Sequence, residues 1–150
     1  MRSLTASAAI IALLGLAPSA AAETPVSFVG SWNCASLAGE MSGSHTQVFR
    51  PDGTASREGT MLIPVDATHT FKVDYVIDAQ VSFDGETMSE TGYSVPKADV
   101  TLNGTPRPDL KADVIATIMQ DATHYSILFE DQSTLLLRAD DELTACQRTE

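Results

Sequence analysis

The chain has 150 residues, of which 20 are acidic and 9 basic, for a formal net charge of −11 at pH 7. Nucleic-acid phosphates and anionic membrane surfaces repel such a chain, so neither is an expected partner. The charge reads as a solubility device for life outside the cell, and it leaves room for a basic protein partner.

In chain order, residues 1–22 read as an export signal. Arg2 supplies the positive start and Ala8-Ala9-Ile10-Ile11-Ala12-Leu13-Leu14 the apolar stretch. Pro18 breaks any helix, and Ala20-Ala21-Ala22 offers a small-residue cleavage site before Glu23. The apolar run, at about 10 residues, is too short for a membrane span of roughly 20. The expected location is therefore periplasmic or secreted, with a signal of bacterial type. Residues 23–150 suffice for one domain with a real core and are too few for two.

The dominant periodicity beyond the leader is two. Val26 to Ala35 reads as a first strand and Thr46 to Phe49 as a second. Pro51-Asp52-Gly53 forms a turn, because proline presets its φ and glycine accepts a positive one. Ala55 to Met61 returns from it. Phe71, Val73, Tyr75, Ile77, Ala79, Val81 and Phe83 then alternate with a nearly polar set, which marks a half-buried strand with its odd positions inward. At about 3.3 Å per residue that run is longer than most single strands, so a bend or bulge near Asp78-Ala79 is expected, or two strands in line. Asp84-Gly85 and Asn103-Gly104 are hairpin-type turns, and Thr105-Pro106-Arg107-Pro108 is a loop. Residues 108–119 read two ways. Leu110, Val114 and Ile118 share a helical stripe behind Pro108, but Val114, Ile115, Thr117 and Ile118 are β-branched and fit a strand better. A closing meander follows at Tyr125–Phe129, Thr134–Arg138 and Leu143–Arg148. Its turns fall at Asp121-Ala122, Glu130-Asp131-Gln132 and Asp140-Asp141. The fold class is all-β, an antiparallel barrel or barrel-like sandwich, with a short helix near 108–119 as the alternative to a strand there.

Cys34 and Cys146 are the two cysteines of the chain. In an exported chain they pair most simply as one disulfide that ties the first strand to the last. No Cys-x-x-Cys pair points to redox chemistry. His45, His69 and His124 lack the spacing of a local zinc site and read as polar strand-end residues, although Asp66 can pair with His69. No Gly-x-Ser-x-Gly turn is present. Asp84/Glu86 and Asp140/Asp141 lie on predicted turns, where solvated carboxylates are ordinary, and they lack the calcium-loop pattern. Asn103-Gly104-Thr105 matches the N-glycosylation acceptor, expected to be unused behind a bacterial signal. No catalytic group, metal or cofactor is expected.

Gly30-Ser31-Trp32 with a late Arg148 resembles the lipocalin-like (calycin) barrels, in which Gly-x-Trp opens the first strand and an arginine packs over the tryptophan. The resemblance implies that Trp32 plugs one barrel end under Arg148, with Arg138 as the fallback, and that the fold encloses a small apolar ligand. The expected function is a non-enzymatic binder of a small apolar or amphipathic molecule, with Tyr75, Ile77 and Phe83 as pocket lining. A periplasmic protease inhibitor or an envelope-associated interaction domain is the alternative.

Overall fold

The computed structural model describes residues 24–25, 27–119 and 122–149. The predicted leader, residues 1–22, lies outside them. The chain runs β1 (Gly30–Ala38), β2 (Met41–Phe49), β3 (Thr54–Pro64), β4 (Thr70–Phe83), β5 (Thr87–Leu102), the two-residue β6 (Thr105–Pro106), a 3₁₀ turn Pro108–Leu110, α1 (Lys111–Ile118), β7 (Thr123–Glu130), β8 (Thr134–Ala139) and β9 (Glu142–Arg148). Each strand from β1 to β5 pairs antiparallel with the next, β5 pairs with β7 across the α1 excursion, and β9 returns to β1. The result is a closed eight-stranded barrel, with β6 folded back on the end of β5. Closure joins the first strand to the last, and the outer edge of β5 is partnered by β7 at Thr87–Glu90 and by β6 at Thr101–Leu102.

Most predicted strands are present with longer bounds. The first begins at Gly30; Val26 lies outside the described residues, and the chain turns ahead of the strand at Ser27 and Phe28, where Phe28 N–H donates to Pro25 O at 2.9 Å. That turn swings Phe28 into the interior, where its carbonyl accepts the Trp32 indole N–H at 2.9 Å. Along β4, Val73, Tyr75, Ala79 and Val81 are buried; Phe71 and Ile77 pack on the cluster of Val73 and Tyr75, and Phe83 packs on the cluster that contains Val81. The odd positions therefore face inward. The irregularity expected near Asp78 is there, but the extra residues belong to the partner strand. Val76 faces Lys97, Asp78 faces Ser94 and Gln80 faces Thr91, so β5 spends three residues for two of β4 twice over. Each bulge flips the side-chain parity, and two restore it. Met88 and Glu90 at one end, and Ala98 and Val100 at the other, consequently all point inward.

Residues 108–119 are helical, which corrects the preference for a strand. Packing explains why. A helix gathers Leu110, Val114 and Ile118 on one stripe, and the half-buried Leu110 and Val114 pack on the Val73, Tyr75 and Val100 cluster at the barrel mouth, so propensity yields to tertiary context. The Thr117 hydroxyl donates to the Asp113 carbonyl at 2.9 Å, and Pro108 occupies the first turn.

The interior divides along the barrel axis. At one end Trp32, Phe49, Met88 and Leu135 are almost wholly buried, and Phe28 packs its ring 4.4 Å from Phe83 and 6.0 Å from Phe49. Arg148 lies over Trp32 with its guanidinium carbon 4.1 Å from the ring centroid. The same guanidinium donates to the carbonyls of Val29 (2.7 Å), Gln132 (2.6 Å) and Ser27. It therefore satisfies loop acceptors while it closes the end. Arg138 points outward on β8. Gly30 makes room for this contact: its φ is +131°, and a Cβ there would meet Arg148 Nη1 at 2.8 Å. Cys34 and Cys146 face each other on β1 and β9 and form a disulfide.

Two predictions concern this seam. The Cys34→Ser/Cys146→Ser double variant loses about 4–5 kcal/mol of stability in the chain-entropy view of a loop this long, and urea denaturation of oxidised and variant protein measures it. Gly30→Ala, which strains the backbone and displaces Arg148, costs about 2 kcal/mol and blue-shifts or broadens the Trp32 signal in near-ultraviolet circular dichroism. An unchanged unfolding midpoint and an unchanged Trp32 band would overturn the role assigned to Gly30.

Candidate functional site

Between the aromatic end and the opposite mouth, the barrel holds a belt of polar side chains. His45 and Gln47 enter from β2, Arg57 from β3, Tyr75 from β4, Glu90 from β5, Tyr125 from β7 and Thr144 from β9. Strand parity puts them there. On β3 the inward set is Ala55, Arg57, Gly59, Met61 and Ile63, so the arginine occupies an apolar position, as Glu90 does two residues after Met88. Arg57 Nη2 lies 2.8 and 2.7 Å from the two Glu90 carboxylate oxygens, and Arg57 Nε donates to Gln47 Oε1 at 2.9 Å. Tyr125 Oη stands 3.4 Å from Arg57 Nη2. Burial alone would lower the Arg57 pKa, but the Glu90 charge, together with the Tyr125 and Tyr75 phenols, more than offsets it and holds the guanidinium firmly protonated. Glu90 is 2% exposed, so removing either partner strands a buried charge.

His45 sits on the same belt. Burial first, and the Arg57 charge second, push its pKa down to about 3, so the imidazole is neutral. Its Nδ1 is enclosed and has no hydrogen-bond partner among the described residues. Gly59 lies opposite in register, and any Cβ there would run into the Ser44 carbonyl and the His45 Cβ. Burial likewise pushes the Tyr75 and Tyr125 phenols up, opposed by Arg57.

Above the belt, at the mouth opposite Trp32, lies a cavity of about 340 Å³. Its wall is apolar: Met61 and Ile63 of β3, Phe71, Val73 and Ile77 of β4, and Val100 of β5. Leu110, Val114 and Ile118 form the roof, with Asp113 and Thr117 beside them, while Arg57 and Tyr75 stand at the floor. No residue of α1 is fully buried, and the helix approaches the barrel only at β5. A volume of this size is at the lower end for small-molecule pockets, which run from about 300 Å³ upward.

Of the three residues expected to line a pocket, Tyr75 and Ile77 lie on this cavity. Phe83 lies at the far end of the same strand, in the aromatic cluster with Phe28 and Phe49. Arg57, Glu90 and the helix roof were not anticipated. The available signal was a charged residue on the apolar parity of a strand. The histidines are not brought together. His45 is interior, His69 pairs with Asp66 at 2.8 Å on an exposed turn, and His124 bonds Ser89 at 2.8 Å. His45 thereby departs from the expected strand-end position. Asp84 caps its own turn through Thr87 N–H at 2.8 Å, and the Asn103 amide donates to the Thr68 carbonyl at 2.9 Å. Asp140 and Asp141 fall in the β8–β9 turn. Among the described residues no helix is long and apolar enough to cross a membrane.

The His45 environment predicts an acid limb. The unfolded chain binds a proton there below pH 6.5, the folded barrel only near 3. Stability therefore falls as pH drops through that window, by about 1.4 kcal/mol per unit. His45→Leu flattens the fall between neutral pH and about pH 4, below which the carboxylates titrate; urea midpoints across pH measure it, and an equal slope in both proteins overturns the assignment. In comparison with known proteins, the chain matches no family model, and no curated protein aligns with it significantly.

Proposed function

We propose that this protein is an exported, non-enzymatic carrier that holds a small apolar or amphipathic molecule between α1 and the barrel. The observation that carries the reading is the cavity of about 340 Å³, apolar on its walls and polar only at its floor. A few convergent polar groups in an otherwise apolar concavity are the usual form of a small-molecule site. Further support comes from Gly30, Trp32 and Arg148, whose arrangement agrees with the lipocalin-like resemblance. The Cys34–Cys146 disulfide supports an oxidising compartment.

The inhibitor alternative gains less. It calls for an extended segment ahead of the barrel that can enter a protease cleft. Here Thr24 and Phe28 are buried, and Arg148 holds the Ser27 and Val29 carbonyls, so this stretch is tied to the barrel wall.

Native mass spectrometry of the protein purified from its own periplasm or medium tests the carrier reading. A reproducible small-molecule adduct is expected, and Val114→Trp, which fills the cavity from the half-buried helix face, abolishes it while leaving the melting temperature within a few degrees. If the wild-type protein carries no adduct and takes up no neutral apolar dye, the reading fails.

A further inference from the structure

Resting on that carrier reading, we infer that the ligand carries a neutral hydrogen-bond acceptor (a ketone, aldehyde, ester or amide carbonyl) at its inner end, and neither a carboxylate nor an ammonium group. The floor of the cavity decides this. Arg57 uses Nε on Gln47 and Nη2 on Glu90 and Tyr125, while its Nη1 has no partner among the described residues. The Tyr75 hydroxyl also lacks a protein partner among them, and it is not sealed off in the way that His45 Nδ1 is. Arg57 and Tyr75 line both this apolar chamber and the adjoining void of about 80 Å³, so Nη1 and the phenol are the donors that the floor offers to an occupant.

Charge then narrows the class. The Arg57 cation is already matched by both oxygens of Glu90 at 2.7–2.8 Å, so the floor is electrically balanced. A carboxylate head would add a second buried anion to a site with one cation, with Asp113 at the roof and Glu142 beside the adjoining small void. An ammonium head would face the guanidinium and meet donors rather than acceptors. Either ion pays the desolvation cost of burial without a matched partner. A carbonyl oxygen accepts from Nη1 and from the phenol and brings no charge, so both orphan donors are satisfied. The chain's net charge of −11 acts in the same direction, since it lowers the local concentration of anionic ligands at the mouth.

The test uses four molecules of one shape that differ at the head: benzylacetone (ketone), hydrocinnamate (acid), phenylpropylammonium (amine) and propylbenzene (no head). Each is titrated at neutral pH into ¹⁵N-labelled, disulfide-bonded protein, and affinity is read from the amides of Val73, Val100 and Val114. The ketone is expected to bind about tenfold or more tightly than the acid and the amine, and roughly three- to tenfold more tightly than propylbenzene. Tyr75→Phe reduces the advantage of the ketone over propylbenzene and leaves propylbenzene itself unchanged. Binding in which the acid or the amine equals the ketone overturns the head-group inference and leaves the carrier reading standing. A ketone that binds no better than propylbenzene overturns it too. If none of the four shifts these amides, the cavity is not a ligand site, and both readings fall.

Discussion

Pairing of the first strand with the last is the contact on which the rest of this molecule depends. Seven antiparallel steps carry the chain from β1 round to β9, and each neighbour except β5 and β7 is joined by a short turn. The β1–β9 pair has no such help, because its residues lie more than a hundred positions apart, and closing so long a loop is entropically the costliest step. Three features concentrate on this seam. Cys34 and Cys146 cross it covalently, Trp32 from β1 lies under Arg148 from β9, and Ser36 meets Thr144 at 2.7 Å. Without this closure the inward faces of β1 and β9 would be wet.

A closed eight-stranded barrel has enough side chains to fill its own interior. Here the filling is uneven. Large aromatics pack one end solid, whereas Ala98, Val100 and Val73 leave the other end short of volume. The Arg57–Glu90 belt separates the two. Its charges are held by Gln47 and Tyr125 as well as by each other, so the belt is a fixed partition that sets the depth of the cavity. A helix that reaches the barrel at one strand covers the open end, which makes the roof the least constrained wall of the chamber.

Much of this was legible in the residues, for definite reasons. Phe71 to Phe83 alternate without interruption because β4 has no bulge of its own, and Cys34 and Cys146 sit near the chain ends that a barrel must join. Strand β5 left no such trace. Its two extra residues break the alternation between Thr91 and Lys97, and Pro96 argues against a strand unless the bulges are known. The helix is the harder reading, because the β-branched residues argue for a strand, whereas the packing of Leu110 and Val114 on the barrel mouth decides for a helix. Arg57 and Glu90 are 33 positions apart on strands that are not neighbours in the sheet, so their pairing depends on the curvature of the whole barrel. Tyr75 and Ile77 face the cavity because they lie on the inward parity of the readable strand, and Phe83 shares that parity at the other end, since alternation reports which face a residue occupies and says nothing of height along the axis.

The disulfide also makes the chain a ring. From Cys34 to Cys146 the backbone is a covalent circle that contains every turn of the barrel and the whole of α1. Cutting a linear barrel once yields two fragments that need only their strand pairing to fail before they part. One cut anywhere in this circle leaves two segments that are still joined covalently at the seam. The exposed Arg107-to-Met119 excursion is the natural place for such a cut, since it carries no strand of the closed barrel. A cut there would sever the roof of the cavity and yet leave the strands of the barrel covalently joined.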